Sequence, residues 1–170
     1  MNRKHLAVAL AACACIAASS VFANISSRFA QTQKGSAMSA TAKGTFDVKT
    51  TPQAATESEE PGIARLLLDK QFHGDLEAVS KGQMLAANTA IKGSAAYVAI
   101  EKVTGSLTGR SGGFTLQHVG TMNRGAPSLN VTVVPDSGTD QLTGLSGKMS
   151  IEIKDGKHFY TFEYSLPDSH

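Results

Sequence analysis

The stretch that decides the fold runs from Ser94 to Met122, SAAYVAIEKVTGSLTGRSGGFTLQHVGTM. Apolar and polar residues alternate along it at a period of two, which marks strands with one buried face. Glycines flank Arg110-Ser111 at Gly109 and Gly112, and a two-residue loop bounded by glycine is a hairpin signal. With Arg110 and Ser111 as the loop, Gly109 pairs with Gly112, Leu107 with Phe114, Gly105 with Leu116, Val103 with His118, Glu101 with Gly120 and Ala99 with Met122. These residues share one face, which is mostly apolar and therefore the inside. Tyr97, Glu101 and His118 lie on it as well, with Gly120 leaving space beside the carboxylate. This polar group on an apolar wall has the character of a site.

Outward from this hairpin the pattern repeats. Thr41 to Thr50 places Gly44, Phe46 and Val48 on one face and Thr45, Asp47 and Lys49 on the other. Thr51 to Pro61 is a polar loop whose Glu57, Glu59 and Glu60 read as a solvated rim. Gly62 to Phe72 forms a strand with Ala64, Leu66, Leu68 and Phe72 in phase, and Gly74-Asp75 turns it into Leu76 to Ala87. Alternation there is too weak to choose an inner face. Asn123 to Pro127 is a turn, Leu129, Val131 and Val133 alternate along a sixth strand, and Pro135 to Gln141 is a loop. Asp155-Gly156 is a strong type I′ pair. Counting back from it, Ile153 faces His158, Ile151 faces Tyr160, Met149 faces Phe162 and Gly147 faces Tyr164, with Lys148 opposite Glu163 and Ser150 opposite Thr161 on the outer face. The barrel region shows no helical period. Eight strands with short connections predict an all-β protein, a closed eight-stranded antiparallel meander barrel without free edges.

The first residues, MNRKHLAVALAACACIAASSVFA, have the form of an export signal. Arg3 and Lys4 give a basic start, Leu6 to Ala18 an apolar core short for a membrane span, and Val21-Phe22-Ala23 a small-x-small cleavage site. A second route is open: Leu10-Ala11-Ala12-Cys13 resembles a lipoprotein box, which would anchor the protein to a membrane through Cys13. The expected organisation is a signal peptide over residues 1–23, a flexible tether over 24–39 and a single barrel over 40–168, periplasmic or secreted. Cleavage after Ala23 takes 23 residues from 170 and leaves 147, enough for a real core. It also removes both cysteines, Cys13 and Cys15, and with them any disulfide or thiolate chemistry. Without Arg3 and Lys4 the chain's 16 basic and 14 acidic residues become 14 of each. A neutral domain gives no electrostatic case for nucleic acid or for an anionic membrane.

Several motifs stand in a familiar order: GTFDV at Gly44 to Val48, FHGDL at Phe72 to Leu76, AYVAIEKVTGSLTGRSGGFTLQHVGTMNRG at Ala96 to Gly125, VVPDSGT at Val133 to Thr139 and DGKHFYTFEYSLP at Asp155 to Pro167. They resemble an uncharacterised bacterial family, domain of unknown function 3224. The resemblance covers nearly the whole barrel domain and implies an allene oxide cyclase-like, calycin-like barrel. It implies no catalytic residues, and likeness of barrel does not carry activity with it. The export signal and tether depart from the family, which often looks like a bare domain.

Glu101 and His118 are diagonal neighbours in the expected register, within reach for long side chains. An apolar wall raises a carboxylic acid's pKa and a neighbouring imidazolium lowers it, so the pair could be tuned for proton transfer. The plainer alternative is a buried acid–imidazole hydrogen bond that fixes packing. Tyr97, Tyr160 and Tyr164 are candidate ligand contacts, and equally tyrosines of a barrel core near its mouth. His73 and His158 share no metal-ligand spacing with His118, so neither a metal nor another cofactor is expected. Arg110 and Arg124 fall at opposite ends of one strand and cannot clamp one anion together. The preferred reading is a barrel binding a small apolar molecule in its interior, with inward Ala99, Gly105, Gly120 and Gly147 making room. The alternatives are a cofactor-free isomerase or cyclase using Glu101 and His118, and a filled structural barrel acting as a homo-oligomer module. On compartment, N-terminal sequencing and intact mass of the secreted product are expected to start at Asn24; a lipidated Cys13 at the N-terminus would replace this with the lipoprotein route.

Overall fold

A computed structural model describes residues 37–54 and 62–167. The export signal, the cleavage site, Cys13, most of the tether and the three loop glutamates lie outside the described residues. Eight strands follow in order: β1 (Ala37–Pro52), β2 (Ile63–Gly74), β3 (Leu76–Asn88), β4 (Ala95–Leu107), β5 (Arg110–Asn123), β6 (Ala126–Val133), β7 (Ser146–Lys154) and β8 (Lys157–Pro167). Each pairs with its sequence neighbour, and β1 pairs with β8 to close the barrel. β1 begins at Ala37, so the last three residues assigned to the tether belong to the wall, with Ser39 opposite Ser165.

The last hairpin has the register expected of it, from Ile153 opposite His158 to Gly147 opposite Tyr164. The central hairpin does not. Its loop is Thr108-Gly109, with Leu107 opposite Arg110. Both loop residues have positive φ, 48° and 84°, as a type I′ turn demands. An Arg110-Ser111 loop would have needed two bulkier L-residues in that region, whereas glycine takes the second position without a Cβ clash. Arg124-Gly125 and Asp155-Gly156 make the same kind of turn. The consequence is that Glu101 faces Leu116 instead of Gly120, and His118 faces Ala99 instead of Val103. The displacement is an even number of residues, so every side chain keeps the face expected of it.

Gly112 and Gly113 have a different task from flanking a turn. The segment between β6 and β7 folds back over one end of the barrel through a single 3₁₀ turn, Asp140–Leu142. Thr139 holds Gly113 by accepting its N–H on Oγ1 at 3.0 Å and donating its own N–H to the Gly113 carbonyl at 2.8 Å, with Oγ1 also 3.5 Å from that carbonyl. A Cβ on Gly112 would run into the Thr139 carbonyl and the Leu142 side chain. Leu142 and Leu145 are thereby driven into the barrel end and fully buried. Inside, the core holds two groups of packed rings: Tyr160 meets Phe72 edge-on at 5.8 Å, and Phe162 is stacked between Phe114 and Tyr164 at 5.7 and 5.3 Å.

Phe162 is wholly buried and its neighbour Glu163 is exposed across from Lys148. Replacing Phe162 by Ala is therefore expected to cost about 3–5 kcal/mol, and Glu163 by Ala at most about 1 kcal/mol. Urea titration checks the ranking; the reverse order would mean that the face assignment of β8 is wrong.

Candidate functional site

Midway along the barrel, four successive strands each send one polar side chain inward. Lys70 comes from β2, Ser80 from β3, Glu101 from β4 and His118 from β5, and all four are buried. Glu101 is the centre. Its Oε1 accepts hydrogen bonds from Lys70 Nζ at 2.9 Å and His118 Nε2 at 2.8 Å, and its Oε2 accepts one from Ser80 Oγ at 2.8 Å. Lys70 Nζ also lies over the rings of Phe46 and Phe72, 5.0 and 5.8 Å from their centroids, where the ring quadrupoles help to offset its lost hydration.

Local sequence makes this arrangement fit. Gly82 is directly opposite Glu101, and a Cβ there would fall 2.6 Å from the Glu101 Cβ. The room beside the carboxylate is thus made by Gly82. Gly120, expected to supply it, lies opposite Tyr97, and the space above it is taken by the tyrosine ring, 2.2 Å from where a Cβ would stand. Gly105 and Gly147 are likewise filled, by Ala78 and by the edge of Phe162. The inward glycines admit neighbours and leave no hollow.

Burial pushes the Glu101 carboxyl up, but the hydrogen bond and charge of His118 and the charge and hydrogen bond of Lys70 outweigh it and hold the group at about 2. The group is therefore a carboxylate at neutral pH, an acceptor only, and His118 Nε2 must carry the proton between them. Such a site holds charge in place. A carboxylate this acidic, with both oxygens engaged, is poorly matched to taking or giving a proton near neutrality.

Of the residues singled out from sequence, Glu101 and His118 meet as anticipated, and Tyr97 shares their wall, nearer the open end. Burial, and then the charge of Glu101, raise the Tyr97 phenol, so it stays a neutral hydroxyl. Tyr160 and Tyr164 are placed elsewhere. Tyr160 Oη accepts the Leu76 N–H at 2.8 Å and donates to the His73 carbonyl at 3.3 Å, and Tyr164 Oη is 3.0 Å from Thr108 Oγ1. Both brace the plugged end. Lys70 and Ser80 escaped sequence reading. For Lys70 a signal existed, since it occupies the apolar phase of β2 between Leu68 and Phe72. Ser80 had none, because the apolar Val79 and Leu85 of β3 face outward and obscure its inner face.

Beyond Tyr97 the interior opens. A cavity of about 300 Å³ lies at the unplugged end, bounded by Met84, Ala86, Ala95, Tyr97, Met122 and Leu129 among others. A family model described as "Protein of unknown function (DUF3224)" matches residues 42–164. The chain belongs to this family. A solved structure of a DUF3224 protein of unknown function from Shewanella oneidensis MR-1 is 49% identical, with a TM-score of 0.71, and the match covers 77% of this chain and 100% of that one. No curated protein matches. Membership in the DUF3224 family thus agrees with the barrel and assigns no role to the Lys70–Glu101–His118 cluster.

A folded-state pKa below the ordinary 4.5 means that the Glu101 contacts stabilise the fold fully above that value. The contribution is lost as pH falls from about 4.5 towards 2. The expected outcome is a wild-type unfolding free energy that declines through this window. Glu101→Gln should be about 3–5 kcal/mol less stable at pH 7, since it leaves Lys70 buried without its counter-charge, and should show a flatter decline. Guanidinium titrations at a series of pH values test this; parallel declines would place the acid sensitivity elsewhere.

Proposed function

We propose that the protein is an exported binding barrel that holds a small, uncharged, largely apolar molecule at its open end, with the Tyr97 hydroxyl as the polar contact. The observation that carries this reading is the contrast between the two halves of the interior. From the Glu101 cluster to Leu142 the barrel is packed with side chains, whereas the other end keeps about 300 Å³ bounded mainly by apolar groups. A pocket of that kind, with few polar groups to set orientation, is the usual form of a small-molecule site. Met84 and Met122 suit it to ligands of varied shape, because thioether side chains repack easily. The charges of Lys70 and Glu101 are spent on each other, so the pocket floor favours a neutral occupant. Proton transfer by Glu101 and His118 gains nothing from an acid held at about 2.

The test is displacement of an uncharged naphthylamine fluorophore, combined with native mass spectrometry of protein taken directly from producing cells. Probe binding should be abolished by Ala86→Phe, which fills the cavity, and weakened roughly 3- to 10-fold by Tyr97→Phe, the worth of one hydrogen bond. It should survive Glu101→Gln. Equal probe affinity in the wild type and Ala86→Phe, with no small molecule co-purifying, would remove the binding reading.

A further inference from the structure

The outer wall across β2 to β5 carries more apolar surface than a solvated barrel needs. Outward side chains there stand in two cross-strand rows. One runs Arg65, Leu85, Val98, Val119 and the next runs Leu67, Gln83, Ile100, Gln117. The five branched residues are 42–52% exposed. Between them lies an external groove of about 570 Å³, lined by Arg65, Gln83, Leu85, Val98, Ile100 and Gln117 among others. On the side away from the open end the patch is bounded by a third row, Asp69, Lys81, Lys102, in which Lys81 and Asp69 form an ion pair at 2.6 Å.

We propose that this face is where a second copy of the chain packs, sheet against sheet. Three observations select that occupant. The first is area. The two rows together hold five branched side chains that are each 42–52% exposed, a contiguous apolar field of the kind that marks an interface. The second is shape. Side chains standing in rows on one sheet interdigitate with those of a sheet packed on it; Val98, Ile100 and Val119, with Leu67 and Leu85 beside them, form such rows, and a second copy brings the same surface. The third is charge. The patch carries both signs at its margins, Asp69 beside Lys81 and Lys102, with Arg65 at the other flank. A two-fold partner can match such a margin with itself, whereas an anionic lipid surface calls for one sign only. Gln83 and Gln117 within the patch supply donors and acceptors that a symmetry mate can answer in kind. The groove lies outside the barrel and is separate from the cavity at its mouth, so this inference does not depend on ligand binding.

Sedimentation velocity on the full-length protein between about 1 and 200 µM tests it. The wild type is expected to sediment as a dimer or larger assembly over most of that range. Val98→Glu and Leu85→Lys, on different strands and both outward, should each weaken association by about 100-fold, because every substitution enters the interface twice. Their cooperative thermal unfolding shows that the barrel is intact. A wild type monomeric at 200 µM, or variants that associate as the wild type does, would overturn the proposal. So would wild-type binding to phosphatidylglycerol vesicles that Val98→Glu abolishes, since it would give the face to lipid.

Discussion

A single negative charge governs the interior of this barrel. The Glu101 carboxylate is 1% exposed, and an ion withdrawn from water to that degree persists only with full compensation. The compensation comes from three other strands at once, through Lys70, Ser80 and His118. A one-residue slip of any of them would turn its donor to the outside and leave the charge unanswered. Apolar packing alone tolerates substitutions of similar volume; this cluster tolerates one arrangement of β2, β3, β4 and β5. In a meander of β-branched and small residues, where many registers bury comparable area, such a constraint singles out the native one.

The two ends of the barrel are built on different principles. At one, Gly112 and Gly113 let the segment after β6 approach closely enough to press Leu142 and Leu145 into the core. Aromatic rings and buried hydroxyl bonds complete the seal. At the other end, small and flexible side chains leave the wall unfilled beyond Tyr97. The polar cluster lies at the boundary between them. It gives the open end a rigid floor, and the charge of Glu101 helps to keep the Tyr97 hydroxyl protonated.

Much of this was legible in the sequence, and the parts that were not have physical reasons. Alternation revealed eight strands and the meander, because each strand has one wet face and one dry face. Asp155-Gly156 set its hairpin correctly, since Asp-Gly is a pair that the type I′ turn strongly favours. Thr108-Gly109 was harder to recognise among four nearby glycines, two of which serve the plug. Glu101 and His118 still met, because an even error of register keeps both on the inner face and this one, of four residues, exchanges one diagonal placement for the other. Lys70 was overlooked as a charge in an apolar phase. The glycines were misread because an absent side chain looks the same in sequence whether it makes a hole or accommodates a ring.

The closing seam of the barrel has a consequence for how the chain reaches its fold. Ser39 on β1 meets Ser165 on β8, 126 positions further along the chain. Hairpins such as the central one can form from neighbouring residues in microseconds, but the wall cannot be completed until the last strand exists. Contacts this distant in sequence slow folding, since the loop entropy is spent before the pairing is gained. Until β8 arrives, β1 presents an open edge able to pair with another chain. Synthesis of this protein therefore passes through an interval of vulnerability that ends only when β8 has emerged and paired with β1.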